Sequence, residues 1–255
     1  LIMKKYANIR FNNQKRWIEF CNDDIYLMYG DPLNEIFRRE EIIDIDIKKI
    51  NFLPPSNPSK VIGVGWNYKD LVGPKDSYPE PIVFIKSPTS ICAHNSKVNY
   101  PKIAEKVWVE TELAIVIGKE CSNINSSEAG SYILGYTIGS DITALNVLQR
   151  DWHLARSKAF DNFAPIGPFL TTEINTENLI LKSRINGREV QNGNTSSRIM
   201  DDFKLIELIS GIMTLKPGDI ILTGTPAGAT DAIVVAGDKV EHEVENLGQL
   251  SFEII

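Results

Sequence analysis

The sequence predicts a β-rich α+β fold. Strand-like alternation and short apolar runs recur along most of the 255 residues, helical spacing is confined to three stretches, and there are no internal repeats. Residues 6–11 and 15–21 read as strands around an Asn12-Asn13-Gln14 turn, and Asp24–Tyr29 as a third that ends at Gly30. Leu53-Pro54-Pro55-Ser56-Asn57-Pro58-Ser59 cannot continue a helix or a central strand, so a boundary is expected there between a small N-terminal unit (1–56) and a larger one (57–255). Lys60–Gly65 and Pro81–Ile85 have the composition of buried strands, with a polar loop 69–80 between them. Val107–Gly118 alternates strictly and is expected as one long strand. Helical spacing marks Ser126–Leu134 and Ile142–Ser157, the second with Leu145, Leu148, Trp152 and Ala155 along one side. Asn186-Gly187 inside Arg184–Val190 is a hairpin signal. Asp201–Leu215 is an amphipathic helix with Phe203, Ile206, Ile209 and Met213 on one face. The turn Lys216–Asp219 leads into strand Ile220–Thr225, and a last hairpin brackets Asn246-Leu247-Gly248.

Composition narrows the function. A net charge of −6 with no run of Lys or Arg argues against a nucleic-acid binder. No apolar stretch is long enough for a membrane span, and the N-terminal lysines lack the apolar segment of a signal peptide, so a cytoplasmic protein is expected. Cys21, Cys92 and Cys121 are too few and too scattered for a disulfide framework or thiolate zinc site. Gly63-x-Gly65 meets Tyr68 where a dinucleotide fingerprint needs its third glycine, and no Gly-x-Ser-x-Gly occurs. His94, His153 and His242 show no metal-ligand spacing.

The informative residues are acidic. On an extended strand Glu110 and Glu112 share a face with Trp108, Ala114 and Val116, while Val109, Thr111, Leu113, Ile115 and Ile117 take the other. Both faces are largely apolar, the pattern of a strand buried on both sides. Two carboxylates there repel one another unless a cation lies between them, and an all-oxygen set suits Mg²⁺, Mn²⁺ or Ca²⁺. A solvated edge strand explains the same pattern with no metal. Asp141, ending the apolar strand Tyr136–Ser140, is either a third oxygen ligand or an N-cap for a helix at 142. Lys158 is either a buried cation or an ordinary lysine at a solvated helix end.

These pieces occur in the order found in the fumarylacetoacetate hydrolase family, which the chain resembles over roughly residues 58–255. The resembling blocks are Val109–Lys119, Gly135-Tyr136 with Asp141, Lys158-Ala159-Phe160-Asp161 with Pro165–Pro168, Asn186-Gly187 with Gln191–Ser196, and Leu215–Gly228. Val61–Tyr68 and Pro81–Pro88 match the start of the family's domain. The resemblance implies a mixed β-roll paired as a homodimer, with a small N-terminal β-containing unit. It implies that Glu110, Glu112 and Asp141 hold Mg²⁺ (or Mn²⁺ or Ca²⁺) and that Lys158 is catalytic beside it. Gly224, Thr225, Lys86 and Tyr68 are implied to border a small 2-oxo acid substrate. The metal would stabilise the enolate leaving group of C–C bond hydrolysis.

One block departs from the pattern. Family hydrolases carry a His, and three residues later a Glu, after the Asn-Tyr pair; here those positions are Leu71 and Pro74, and neither moves a proton. Leu145 and Leu148 stand where relatives carry polar Arg and Gln. Three readings follow: hydrolysis served by another lid residue (Lys69, Asp70, Asp76 or Glu80), tautomerisation or decarboxylation of a 2-oxo acid, and binding without turnover.

Overall fold

A computed structural model describes residues 3–34, 36–75, 77–145 and 151–255. The chain opens with an antiparallel meander, β1 (Lys4–Phe11), β2 (Gln14–Cys21), β3 (Asp24–Gly30) and β4 (Phe37–Ile43). Asn12 and Asn13 turn the first hairpin with φ of 48° and 62°, left-handed angles that asparagine tolerates better than most residues. β4 carries no strand signal of its own, because Arg38-Arg39-Glu40-Glu41 interrupts the alternation. The proline-rich segment is pinned to its surroundings: Leu53 N–H donates to Asn8 O at 2.8 Å, and the Ser56 hydroxyl donates to Gly218 O.

Next come β5 (Val61–Gly65), α1 (Lys69–Val72), β6 (Ile82–Lys86), β7 (Ile91–Cys92) and β8 (Ser96–Val98). The long strand expected over 107–118 is divided into β9 (Val107–Trp108) and β10 (Thr111–Ile117). Its alternation survives the break, but β9 belongs to a different sheet, so the chain changes sheets at Val109-Glu110. The helix expected over 126–134 is a single turn, α2 (Ser126–Ala129), followed by a 3₁₀ turn and then β11 (Ile133–Ser140). Pairing of Ile133 with Ile117 on β10 overrides the local helical spacing.

The helix expected over 142–157 is also corrected. Thr143 and Ala144 form β12 (Thr143–Ala144) and pair with Trp108 and Val107, and among the described residues of this stretch helix is found in α3 (Ala155–Lys158). Asp141 therefore caps no helix. Leu148 and Asp76 lie outside the described residues.

Then follow β13 (Ala164–Thr172) and the hairpin β14 (Ile180–Ile185) and β15 (Arg188–Asn194), closed by Asn186 and Gly187 at φ of 51° and 80°. In α4 (Asp202–Ile212), Asp201 caps the first turn by accepting Lys204 N–H at 2.9 Å. The helix buries Leu205, Ile206 and Ile209, whereas Phe203, expected on the inner face, is 45% exposed. β16 (Ile220–Leu222) stops three residues earlier than expected, and β17 (Ile233–Val234), β18 (Lys239–Val244) and β19 (Gly248–Ile254) complete the chain.

The large mixed sheet runs β4-β3-β2-β1-β13-β11-β10-β16-β5-β6, with β7 alongside β13; β15-β14-β18-β19-β8 form a second sheet and β12-β9-β17 a third. β10 is buried on both faces, and its alternation divides the core in two. Leu113, Ile115 and Ile117 pack with α4 and the second sheet; Ala114 and Val116 pack on the opposite side with Ile166, Leu170 and Leu222. Glu112 shares the parity of Ala114 and Val116 and ends that row. No described helix is long and apolar enough to cross a membrane.

Candidate metal centre and active site

The register of β10 against β11 assembles the acidic cluster. Thr111 pairs with Ser140 and Glu112 with Gly139, so antiparallel pairing sets Glu110 across from Asp141. A backbone bond from Asp141 N–H to Glu110 O (3.0 Å) continues the ladder past the break. Gly139 keeps the position facing Glu112 free of a side chain; a Cβ there would come within 2.4 Å of Leu222 Cδ2. Glu110, Glu112 and Asp141 each present a carboxylate oxygen within 4.8 Å of the others. Glu112 and Asp141 are buried and Glu110 is half-buried, which removes the solvated-edge reading for this strand.

Two lysines face the cluster. Lys158 Nζ lies 2.5 Å from Asp141 Oδ2 and 3.2 Å from Glu110 Oε2; Lys86 Nζ, fully buried, lies 2.5 Å from Asp141 Oδ1 and 3.1 Å from Ile142 O. Lys158 is the last residue of α3, whose preceding turn is fastened by Ser157 N–H to Asp151 Oδ2 at 2.6 Å. The carboxylate of Glu110 is further fixed by Trp108 Nε1–H (2.7 Å) and the Thr143 hydroxyl (3.1 Å), both to Oε1. Glu112 Oε2 accepts Gly224 N–H at 2.6 Å. Gly224 itself sits at φ of 98° against Asn67 and Val64, a conformation and a spacing that suit glycine.

Charge follows geometry. Burial, reinforced by Asp141 and Glu110, pushes the Glu112 carboxyl well above its ordinary range; burial also raises Glu110, against the pull of Lys158. Burial acts on Asp141 in the same sense, but the Lys158 and Lys86 ammoniums outweigh it and hold this carboxyl low. Burial opposes the charge of Lys158 too, yet Asp141 and Glu110 prevail and raise its pKa, while burial lowers that of Lys86. Three ionised carboxylates and two ammoniums leave one uncompensated negative charge in a low dielectric. A divalent cation among the three oxygens relieves their mutual repulsion and turns the net charge of the site from −1 to +1, and the all-oxygen donor set suits a hard ion.

A cavity of about 290 Å³ opens beside the cluster, with Glu110 and Lys158 at its inner end and Thr225 on its wall. The Thr225 hydroxyl donates to Thr111 O at 3.0 Å, so it and Gly224 N–H are engaged within the protein. Tyr68 is buried behind this loop; burial raises its pKa, and its hydroxyl has no partner among the described residues. Lys86 likewise stands behind Asp141 and is not part of the wall. Leu71 lines the cavity from α1, and the neighbouring Asp70 accepts Ala227 N–H at 3.3 Å. Sequence reasoning did not single out Trp66, Phe84, Thr143 or Leu154, all of which line the cavity. Trp66 and Leu154 carry no local signal, because their placement depends on left-handed backbone at φ of 62° and 59°.

Comparison with known proteins agrees with this architecture. The model of the fumarylacetoacetate hydrolase C-terminal domain matches residues 60–255. An uncharacterised protein of Archaeoglobus fulgidus is 41% identical over 209 residues, 81% of this chain and 83% of its own. A human mitochondrial oxaloacetate tautomerase is 33% identical over 252 residues, 90% of this chain and 78% of its own. The crystal structure of a 2-hydroxyhepta-2,4-diene-1,7-dioate isomerase from Mycobacterium marinum superposes with a TM-score of 0.88 at 31% identity, covering 98% of both chains. The matched span takes in every strand that carries the acidic cluster and its lysines, and on that ground the chain belongs to the fumarylacetoacetate hydrolase family of enzymes.

Proposed function

We propose that the chain is a divalent-metal-dependent enzyme that interconverts the keto and enol forms of a small 2-oxo acid. The observation that carries this reading is a cluster of three carboxylates, two buried and one half-buried, with a lysine, beside a cavity whose described wall holds no imidazole and no carboxylate besides Glu110. Such a wall supplies charge for an enolate but no evident base to make water a nucleophile; a proton shift needs only the stabilised enolate and exchange with solvent, so the wall favours it over C–C bond hydrolysis. Relatives named as a tautomerase and an isomerase support the same preference.

Glu110, Glu112 and Asp141 would hold Mg²⁺ (or Mn²⁺ or Ca²⁺), and the bound ion would supply Lewis-acid polarisation of the 2-oxo group. Lys158 Nζ, held as an ammonium, stands beside the oxygen on which charge grows as the C3 proton passes to water in the cavity, and favours that charge; a proton returned from water to that oxygen or to C3 completes the exchange. Lys86 keeps Asp141 ionised and oriented from behind. Trp108 and Thr143 fix the Glu110 carboxylate so that no reorganisation is needed when substrate arrives. The substrate carboxylate is assigned to the side of the cavity bordered by Thr225, with Tyr68 packed against the neighbouring Gly224. Homodimer formation belongs to the same proposal, and light scattering tests it.

The test follows the enol absorbance of oxaloacetate and phenylpyruvate, and cleavage of an acylpyruvate, with Mg²⁺ or Mn²⁺ and then with a chelator. Metal-dependent acceleration of enol–keto exchange of at least one of the two acids is the expected result. Faster acylpyruvate cleavage than exchange would favour hydrolysis instead, and failure of both would favour a binding protein.

A further inference from the structure

We propose that the cavity selects 2-oxo acids whose only carboxylate is the one beside the keto group, with an apolar substituent on C3, and discriminates against a second carboxylate. This rests on the 2-oxo acid reading above and narrows its substrate class. Among the described lining residues, Glu110 and Lys158 are the only charged side chains, and both stand at the inner end. The Lys158 ammonium is already shared between Asp141 and Glu110 and lies 5.0 Å over the Phe84 ring. Of the wall hydroxyls, Thr143 is committed to Glu110 and Thr225 to Thr111 O, Thr230 sits on the exposed rim, and Ser157 Oγ, buried beside Lys158 with no partner among the described residues, is a neutral group that cannot offset a charge.

The outer wall is Trp66, Leu71, Ile82, Phe84, Leu154 and Ala229. A second carboxylate moved there gives up its hydration and meets no free cation among the described lining residues, whereas an alkyl or aryl group gains burial. The backbone supports the assignment. Trp66 and Leu154 are bulky residues held at φ of 62° and 59°, a conformation uncommon outside glycine and asparagine, and both point apolar surface at this cavity. At about 290 Å³ the space lies near the lower end of small-molecule sites, enough for a short chain or a ring.

Calorimetry on the Mg²⁺-loaded protein tests this with stable acids of matched length, from pyruvate through 2-oxobutanoate and 2-oxopentanoate to 2-oxohexanoate, against 2-oxoglutarate. Affinity is expected to rise about fourfold per methylene along the monocarboxylic series until the cavity is filled. 2-Oxohexanoate should bind at least about tenfold more tightly than 2-oxoglutarate, the loss expected for a desolvated, unpaired carboxylate. Leu71→Arg, which adds a cation at the half-buried end of α1, should shrink that ratio by improving 2-oxoglutarate binding. Equal or tighter binding of 2-oxoglutarate to the unaltered protein would overturn the selectivity while leaving the 2-oxo acid reading intact. Binding of Mg²⁺ with none of the acids would overturn both.

Discussion

Replacing Glu112 by glutamine should stabilise the metal-free protein and destabilise the metal-loaded one relative to the original. The side chain keeps its size and still offers an oxygen to Gly224 N–H, now 2.6 Å from Glu112 Oε2. What disappears is a buried negative charge with two like neighbours. At 4.8 Å and an effective dielectric of about 20, each like-charge pair is unfavourable by about 3.5 kcal/mol before compensation. Loss of the attraction to Lys158 offsets part of this, and proton uptake by Glu112 caps the remainder, leaving a net gain of about 1–2 kcal/mol. For a chain of this size that is an increase of about 2–8 °C in Tm in the presence of a chelator.

The sign reverses with metal. At a hundredfold excess over Kd, Mg²⁺ adds about 2.7 kcal/mol to a protein that binds it only when folded, and the variant, lacking one anionic ligand, keeps little of that. The pH dependence has a defined sense as well. A carboxyl raised on folding contributes stability below its unfolded value of 4.5 and loses it as pH rises, so the chelator-treated proteins should converge as pH falls towards 4.5. Thermal melts in EDTA and in Mg²⁺ measure all three effects. A variant that melts at or below the original in EDTA, while retaining the full Mg²⁺ gain, would refute the crowded-charge argument.

Three further outcomes are expected. Lys158→Met should lower kcat by about 10²–10³ while calorimetry finds Mg²⁺ binding retained or tightened, since the change removes a cation and no oxygen ligand. His242 is fully buried with Nε2 2.9 Å from Ser140 Oγ, and burial lowers its pKa from 6.5 to about 3. Its neutral form therefore supports folding above pH 6.5 and that support is lost as pH falls towards 3, so His242→Phe should flatten the acid limb of the denaturation profile. Arg198→Met leaves the buried Asp202 without its cation and should cost about 3–5 kcal/mol in urea denaturation, most of it recovered by adding Asp202→Leu.

The acidic residues were legible because their chemistry conflicts with their neighbours. Glu110 and Glu112 between apolar side chains, and Asp141 after an apolar strand, invite a cation wherever the backbone takes them. Hairpins were legible where asparagine or glycine supplies the left-handed turn, as at Asn186-Gly187. The errors share one cause. Spacing within a segment cannot reveal which distant strand its backbone will pair with. Thr143 and Ala144 fit a helix locally but found partners in Trp108 and Val107, and Ile133 left its helix for Ile117. The switch between sheets at Val109-Glu110 left the alternation undisturbed, so no pattern could mark it. The cavity wall was hidden for the same reason, since Trp66, Phe84 and Leu154 meet only through tertiary structure.

The seam between β1 and β13 has a consequence for solubility. Lys4, Lys5 and Tyr6 pair with Thr172, Thr171 and Leu170, and through these few residues the opening meander covers a flank of the large sheet. Without it, β13 would present a largely buried, apolar strand with open hydrogen-bonding groups, a template on which other chains could add. The meander moves that boundary outward to β4, whose exposed Arg38, Arg39, Glu40 and Glu41 make a poor template for growth. A shortened chain starting near residue 57 should therefore aggregate during expression even if its carboxylate cluster still assembles. The first four strands then act as a guard against self-association, at a distance from any chemistry.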